Sequence, residues 1–254
     1  MANHALAPLA LLETALRARK LDRTLTTTLP ARPSAEAAAA TGIARLDEVL
    51  RGGLPRGQLS EIVGARSSGR SAVLLQLVAA ATRRGEIAAL VDTFDQFDVA
   101  SAAAADVDLT RLLWIRGIGS PPDRAVERAL KALNLVLQAG GFGVVTIDLA
   151  DVPASALRAM PFTTWLRVQR TVEGSDTACV IVGPQPLGRS AGGLTLMLDG
   201  RPEYSRPQGS GLRPQTEARG LGPGACLSGV DLAVRVVSPR RQLDDEIRVR
   251  ADVR

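Results

Sequence analysis

The run GARSSGRS, Gly64 to Ser71, holds the residues best suited to chemistry in this sequence. It stands between a short apolar run, LSEIVG (59–64), and SAVLLQLVAAATRRG (71–85), which reads as a helix. A glycine-rich turn between a strand and a helix can cradle a phosphate. Its backbone N–H groups and the positive end of the helix converge on one place. Gly64 and Gly69 give the backbone the freedom to wrap, and Ser67 and Ser68 belong to the same turn. Ser71 occupies the place whose hydroxyl would hold magnesium. The pattern GxxxxGK followed by Ser or Thr is met at every fixed place except one, where Arg70 replaces the lysine. Arginine keeps the charge and can grip a phosphate through its fork of donors. It is planar and bulkier than an ammonium, and fits less well beside a β- and γ-phosphate. A plainer reading also stands: only Lys20 and Lys131 among the 31 basic residues are lysines, so arginine is favoured throughout.

The elements that must position this turn alternate between strand and helix. A helix is expected over 41–51, led by Thr41, with Leu46, Val49 and Leu50 facing inward, and a sharp turn follows at Gly52–Gly57. IAALVD (87–92), LLWIRG (112–117), FGVVTIDLA (142–150) and DTACVIVGP (176–184) read as buried strands. Helices are expected over 97–105, 121–141 and 156–174, with Pro161 starting a new turn or kinking the last. This order predicts an α/β fold with a mostly parallel sheet covered by helices on both faces. The domain organisation reads as an N-terminal helix and linker (1–40), a core (41–199), a flexible Gly/Pro-rich loop (200–229) and C-terminal antiparallel strands (230–254). LTLML (194–198) is the last strand expected in the core.

Composition bounds the rest. The 254 residues are 46% apolar, enough for one large core, but only 3% aromatic, so packing rests on Ala, Leu, Val and Ile. Apolar runs are broken by charge well before a membrane span, so no membrane partner is expected. The N-terminus carries an apolar run interrupted by Glu13 and Arg17, with no basic leader, and reads as an amphipathic helix rather than a signal peptide. Two cysteines, Cys179 and Cys226, cannot form a disulfide framework and suit a reducing, cytoplasmic setting. With one histidine, His4, no Ser/His/Asp or Cys/His constellation exists, and no metal-ligand cluster is visible. The net charge of +5 permits a polyanionic partner, although such an excess also occurs in ordinary proteins. Trp114 and Trp165 sit in apolar surroundings and are expected in the core.

The run TGIARLDEVLRGGLPRGQLSEIVGARSSGRSAVLLQLVAAATRRGEIAALVD (41–92) resembles the RecA family: a helix, a GGLPxG turn, a strand, the phosphate loop, a long helix and a second strand, in the same order and spacing. The likeness runs on more weakly to about residue 198 and implies a RecA-like core. It places Asp148, ending GVVTID, at the magnesium-binding strand-end aspartate, and VIVGPQPLGRSAGG (180–193) at a DNA-contacting loop. It also exposes departures. Where the family has a water-activating glutamate, two residues beyond Asp92, Phe94 stands; Asp95 is adjacent, though out of register. Where the family has a strand-end glutamine sensing the γ-phosphate, Pro184 stands, with Gln185 one place along. Three altered parts of one machine imply weak or lost ATP hydrolysis. This combination resembles the ImuA branch, RecA-like accessories of translesion synthesis and DNA-damage-induced mutagenesis.

The resemblance implies a degenerate nucleotide site (Gly64, Ser67, Ser68, Gly69, Arg70, Ser71, Asp148), with ATP and magnesium as doubtful cofactors and no catalytic residue. It implies DNA contacts from Arg158, Arg167, Arg170, Arg189, Gly192 and Gly193, of which Arg167 and Arg170 share a helical face and serve equally as a solvated one. Leu9, Leu12, Leu16 and Leu21 would dock on a partner or fold back onto the core. The implied partners are DNA, the RecA recombinase, a Y-family polymerase relative, an error-prone replicative-type polymerase and further copies of the chain; the implied location is the cytoplasm, at the nucleoid. Two other readings stay open: a weak P-loop ATPase, against which Phe94 speaks, and a scaffold that binds only protein.

Overall fold

A computed structural model describes residues 37–117, 121–188, 193–205, 226–237 and 246–252, all within the unit Ala35–Arg254. The expected N-terminal helix with Leu9, Leu12, Leu16, Leu21 and His4 lies outside these residues, as do Arg189, Gly192 and the centre of the Gly/Pro-rich stretch.

Ten strands and six helices are described. β1 (Ala38–Ala39) pairs with β2 (Leu54–Pro55) in a small ribbon. The main sheet uses β3 (Gln58–Gly64), β4 (Ala88–Asp92), β5 (Leu112–Arg116), β6 (Val144–Asp148), β7 (Ala178–Gly183), β8 (Thr195–Ser205), β9 (Cys226–Val237) and β10 (Glu246–Asp252). Their order is β10-β9-β8-β3-β7-β6-β4-β5. From β8 to β5 every neighbouring pair is parallel, and β8-β9 and β9-β10 are antiparallel. The sequence expectation of a mostly parallel α/β sheet with an antiparallel C-terminal hairpin is met.

Strand alternation feeds two cores, one on each face. Ile62, Leu90, Val144, Val180 and Val182 join α1 (Ala44–Leu50) and α2 (Arg70–Arg83). Leu59, Val91, Val145, Ile147 and Ile181 meet α4 (Pro122–Ala139), α5 (Ala154–Ala159) and α6 (Phe162–Val172). α3 (Val99–Ala104) is short and capped by Asp98. Pro161 does more than kink its helix. With no N–H to donate, it ends one helix and heads the next, so 156–174 is two elements.

Two expectations need correction. Thr41 does not cap α1. Asp47 does the binding, accepting the Thr41 and Gly42 N–H groups at 2.7 and 3.1 Å. The loop expected from residue 200 does not start there. β8 runs to Ser205 and β9 begins at Cys226, paired across Ser205 and Cys226, because each strand supplies the backbone partners the other needs despite Gly200 and Pro202.

Candidate functional site

The phosphate loop is built as a close-packed turn. β3 delivers Gly64, and the chain returns into α2 at Arg70 through Ser67 and Gly69, at φ 61° and 89°. Two glycines are required by contact, and Gly69 by its dihedral as well. A Cβ on Gly64 would overlap Ser68 Oγ, and one on Gly69 would overlap Leu232 Cδ2 of β9. A Cβ on Gly200 of β8 would overlap the Ser68 carbonyl. The C-terminal antiparallel strands therefore form one wall of the loop.

The loop holds donors with nothing to bind. Among the described residues, four buried side-chain polar atoms lack a hydrogen-bond partner. Three of them, Ser68 Oγ, Arg70 Nη1 and Thr93 Oγ1, belong to the loop and to the residue that follows β4. Arg70 is only 7% exposed. Burial pulls its guanidinium below its ordinary pKa, against the opposing fields of Asp148 and Asp151. Arg66, at the loop's outer side, pairs with Asp151 at 2.7 Å. Unpartnered buried donors are costly, and a phosphate is the complement of this set. A nucleotide phosphate would be held by the loop N–H groups, Ser68 and Arg70; magnesium would take the exposed Ser71 hydroxyl and Asp148.

The carboxylates divide by role. Asp92 and Asp148 are register partners at the ends of β4 and β6. Asp92 is 2% exposed and spent on structure. Its oxygens accept the Gln96 and Phe97 N–H groups, both at 2.9 Å, and the Trp114 indole N–H at 3.1 Å. Asp148 accepts only the Ala150 N–H, at 2.8 Å. Burial, with the nearby Asp92 charge, pushes its pKa up to about 6 against the pull of that N–H and of Arg70. Phe94 packs against the core of the α4–α6 face. Asp95 is held by Arg116 through two contacts of 2.7 Å, which depress its pKa. Neither residue offers a free base for activating water.

Trp165 is buried, as expected, while Trp114 is only partly buried, packed against the core of the α1–α2 face. It lies half-buried on the edge strand β5, covered by Phe97 at 5.3 Å and by the Arg116 guanidinium at 4.5 Å. Cys179 is fully buried, and burial pushes its thiol up to about 12. No group of three or more His, Cys, Asp or Glu is placed to hold a metal ion among the described residues.

After β7 the chain leaves the sheet beside the phosphate loop, and Glu61 of β3 holds Leu187 and Gly188 of the 184–193 segment and Thr195 just after it. Glu61 Oε1 accepts the Leu187 and Gly188 N–H groups, each at 2.7 Å, and Oε2 accepts the Thr195 hydroxyl at 3.0 Å. Gly193 is buried against the Leu59 carbonyl, which a Cβ would overlap. Gln185 is exposed. Sequence reasoning missed Glu61, although a carboxylate inside the apolar LSEIVG strand signals a buried ionic anchor. Arg158 is exposed on α5, shortly after Asp148. Arg167 and Arg170 are exposed along α6, which runs away from that end; the neighbouring Gln169 accepts the Leu59 N–H near the start of β3.

A strand, a phosphate loop at a helix N-terminus and a strand-end aspartate on a mostly parallel sheet define a P-loop α/β protein. The RecA N-terminal domain family matches residues 29–159, and this chain belongs to that family. Similar proteins include "Protein RecA" of Symbiobacterium thermophilum, 39% identical over 109 residues, which are 42% of this chain and 29% of that protein. "Protein RecA" of an Arthrobacter species is 41% identical over 109 residues, 42% and 29% of the two chains. "Protein RecA" of Chlorobaculum tepidum is 38% identical over 120 residues, 46% and 33% of the two chains. The match spans about a third of the length of these relatives. No helix among the described residues is long and apolar enough to cross a membrane.

Proposed function

We propose that this protein is a RecA-like accessory of DNA-damage-induced mutagenesis, of the ImuA kind, working on DNA at the nucleoid beside recombinase and polymerase partners and not powered by ATP hydrolysis. One observation carries the loss of hydrolysis. The phosphate loop keeps its donors, while the carboxylates near the reacting position are committed elsewhere: Asp92 to its turn, Asp95 to Arg116, with Phe94 packed against the core. The proposed DNA face lies at the C-terminal ends of the strands with Arg158, and Arg189 and Gly192 are proposed as further DNA contacts. Gly193, expected there from the sequence, is buried against the Leu59 carbonyl near the start of β3 and is not part of that face. Glu61 supports that reading, because it holds Leu187, Gly188 and Thr195 through protein contacts alone.

The test is an anisotropy titration of labelled single-stranded DNA with and without Mg·ATP, at two salt concentrations, alongside ATP turnover. Salt-sensitive binding that is indifferent to ATP, with turnover at background, is the expected result. DNA binding that requires ATP, with turnover abolished by Asp148→Ala, would establish the ATPase instead. Absence of DNA binding in every condition would leave the protein-only scaffold.

A further inference from the structure

We infer that the outer face of the α4–α6 helix pair is a docking site for an acidic, leucine-bearing amphipathic helix of a partner protein. The two helices share one core, through Val126, Leu133 and Val136 of α4 and Trp165, Val168 and Val172 of α6. Their outer sides carry apolar surface that this core does not cover. Leu135 is 67% exposed, more than any other large hydrophobic residue among those described, and Leu166 is 41% exposed. A groove of about 250 Å³ lies along α6, lined by Thr163, Leu166, Arg167 and Arg170. Both helices run back from the C-terminal to the N-terminal ends of the strands, with Leu135 one turn before the end of α4 and Leu166 just ahead of the midpoint of α6.

Charge decides the occupant. Arg124, Arg128, Lys131 and Leu135 recur along α4 at spacings of four, three and four, which makes one stripe, and all are exposed. Arg167 and Arg170 flank Leu166 on α6. Among the described residues, the acidic groups on these exposed sides are Glu127, tied to Lys131 at 2.7 Å, and Glu173 at the end of α6. Leucines set among cations complement a helix that presents leucines among carboxylates. A phosphate backbone would use the arginines and leave Leu135 and Leu166 in water. This assignment is independent of the phosphate loop and of the DNA face proposed above, from which Arg167 and Arg170 stand apart.

The full chain would be titrated with a fluorescein-labelled peptide of about 18 residues, with leucine at i, i+3, i+4 and i+7 and glutamate on the remaining positions. Its sequence-scrambled counterpart, labelled single-stranded DNA and phosphatidylglycerol–phosphatidylcholine vesicles would be run beside it. The expected result is saturable binding of the amphipathic peptide over the scrambled one. Leu135→Ser with Leu166→Ser, and separately Arg167→Glu with Arg170→Glu, should each weaken it about tenfold or more. All four residues are exposed, so circular dichroism and melting should match the parent. Equal binding of both peptides, or binding unmoved by either pair of changes, would overturn the inference. It would equally be overturned if the charge reversals cost DNA or vesicle binding and left the peptide unaffected.

Discussion

Asp92 and Asp148 stand opposite one another at the ends of adjacent parallel strands, and their oxygens are used in opposite ways. Asp92 receives two backbone N–H groups and an indole, and so fixes the turn that follows β4. Asp148 receives one N–H and feels the charge of the buried Arg70, whose Nη1 has no hydrogen-bond partner. One carboxylate is a structural anchor. The other is buried with few partners at a cost in stability, and substitutions at the two should act with opposite sign.

Asp148→Asn should stabilise the protein at neutral pH. The carboxyl titrates near 6 when folded and near the ordinary 3.8 when the chain is unfolded. Between these values the folded state binds more protons, so its stability falls as pH rises through the window and stays lower above it. Two units correspond to about 3 kcal/mol at pH 8. Asparagine keeps the acceptor for Ala150 and removes the charge. Denaturant melts of the variant and parent should differ by about this amount at pH 8 and converge below about pH 4. An equal difference at both pH values would contradict the assignment.

Asp92→Ala should destabilise instead. It strands the Gln96 and Phe97 N–H groups and the Trp114 indole, a loss of about 3 kcal/mol. Trp114 fluorescence should shift to the red as the edge-strand cluster with Phe97 and Arg116 loosens. An unchanged spectrum with parental stability would remove Asp92 from this role.

Glu61→Ala should cost about 3 kcal/mol, because three donors lose a buried acceptor. Glu61→Gln, which retains an acceptor oxygen, should cost about 1 kcal/mol. The amides of Leu187 and Gly188, now closed to solvent by Glu61, should exchange hydrogen much faster in the alanine variant while those of β6 are unchanged. Uniform acceleration across the sheet would indicate global destabilisation rather than release of the loop.

How much of this was readable in advance follows from the range of each interaction. The phosphate loop, the strands around it and the departures at Arg70 and Phe94 are local in sequence, and periodicity with motif spacing reveals them. That Asp95 is clamped by Arg116, 21 residues away, depends on β4 and β5 lying side by side. Trp114 looks like core in its apolar run LLWIRG, and only the strand order, which puts β5 at an edge, shows it half-exposed. Arg167 and Arg170 share a helical face as the spacing requires, but spacing cannot say which end of the sheet that face approaches. The wall that β8 and β9 build against the phosphate loop joins residues more than 130 positions apart, and nothing in GARSSGRS announces Leu232.

That wall gives the last prediction. Gly69→Ala introduces a Cβ where φ is 89° and where Leu232 Cδ2 already lies. It therefore carries both backbone strain, about 1 kcal/mol, and a steric overlap. Leu232→Ala alone opens a cavity at a fully buried position and should cost about 2–5 kcal/mol. In the double variant the overlap vanishes and the new methyl fills part of the cavity. Its cost should fall below the sum of the singles by about 1 kcal/mol or more, with the φ strain remaining. A double-mutant cycle from urea melts measures this term directly. Strict additivity would mean that β9 does not bear on the phosphate loop. Coupling of the expected sign would make the C-terminal strands part of the phosphate site, so that truncating them should impair phosphate binding as well as folding.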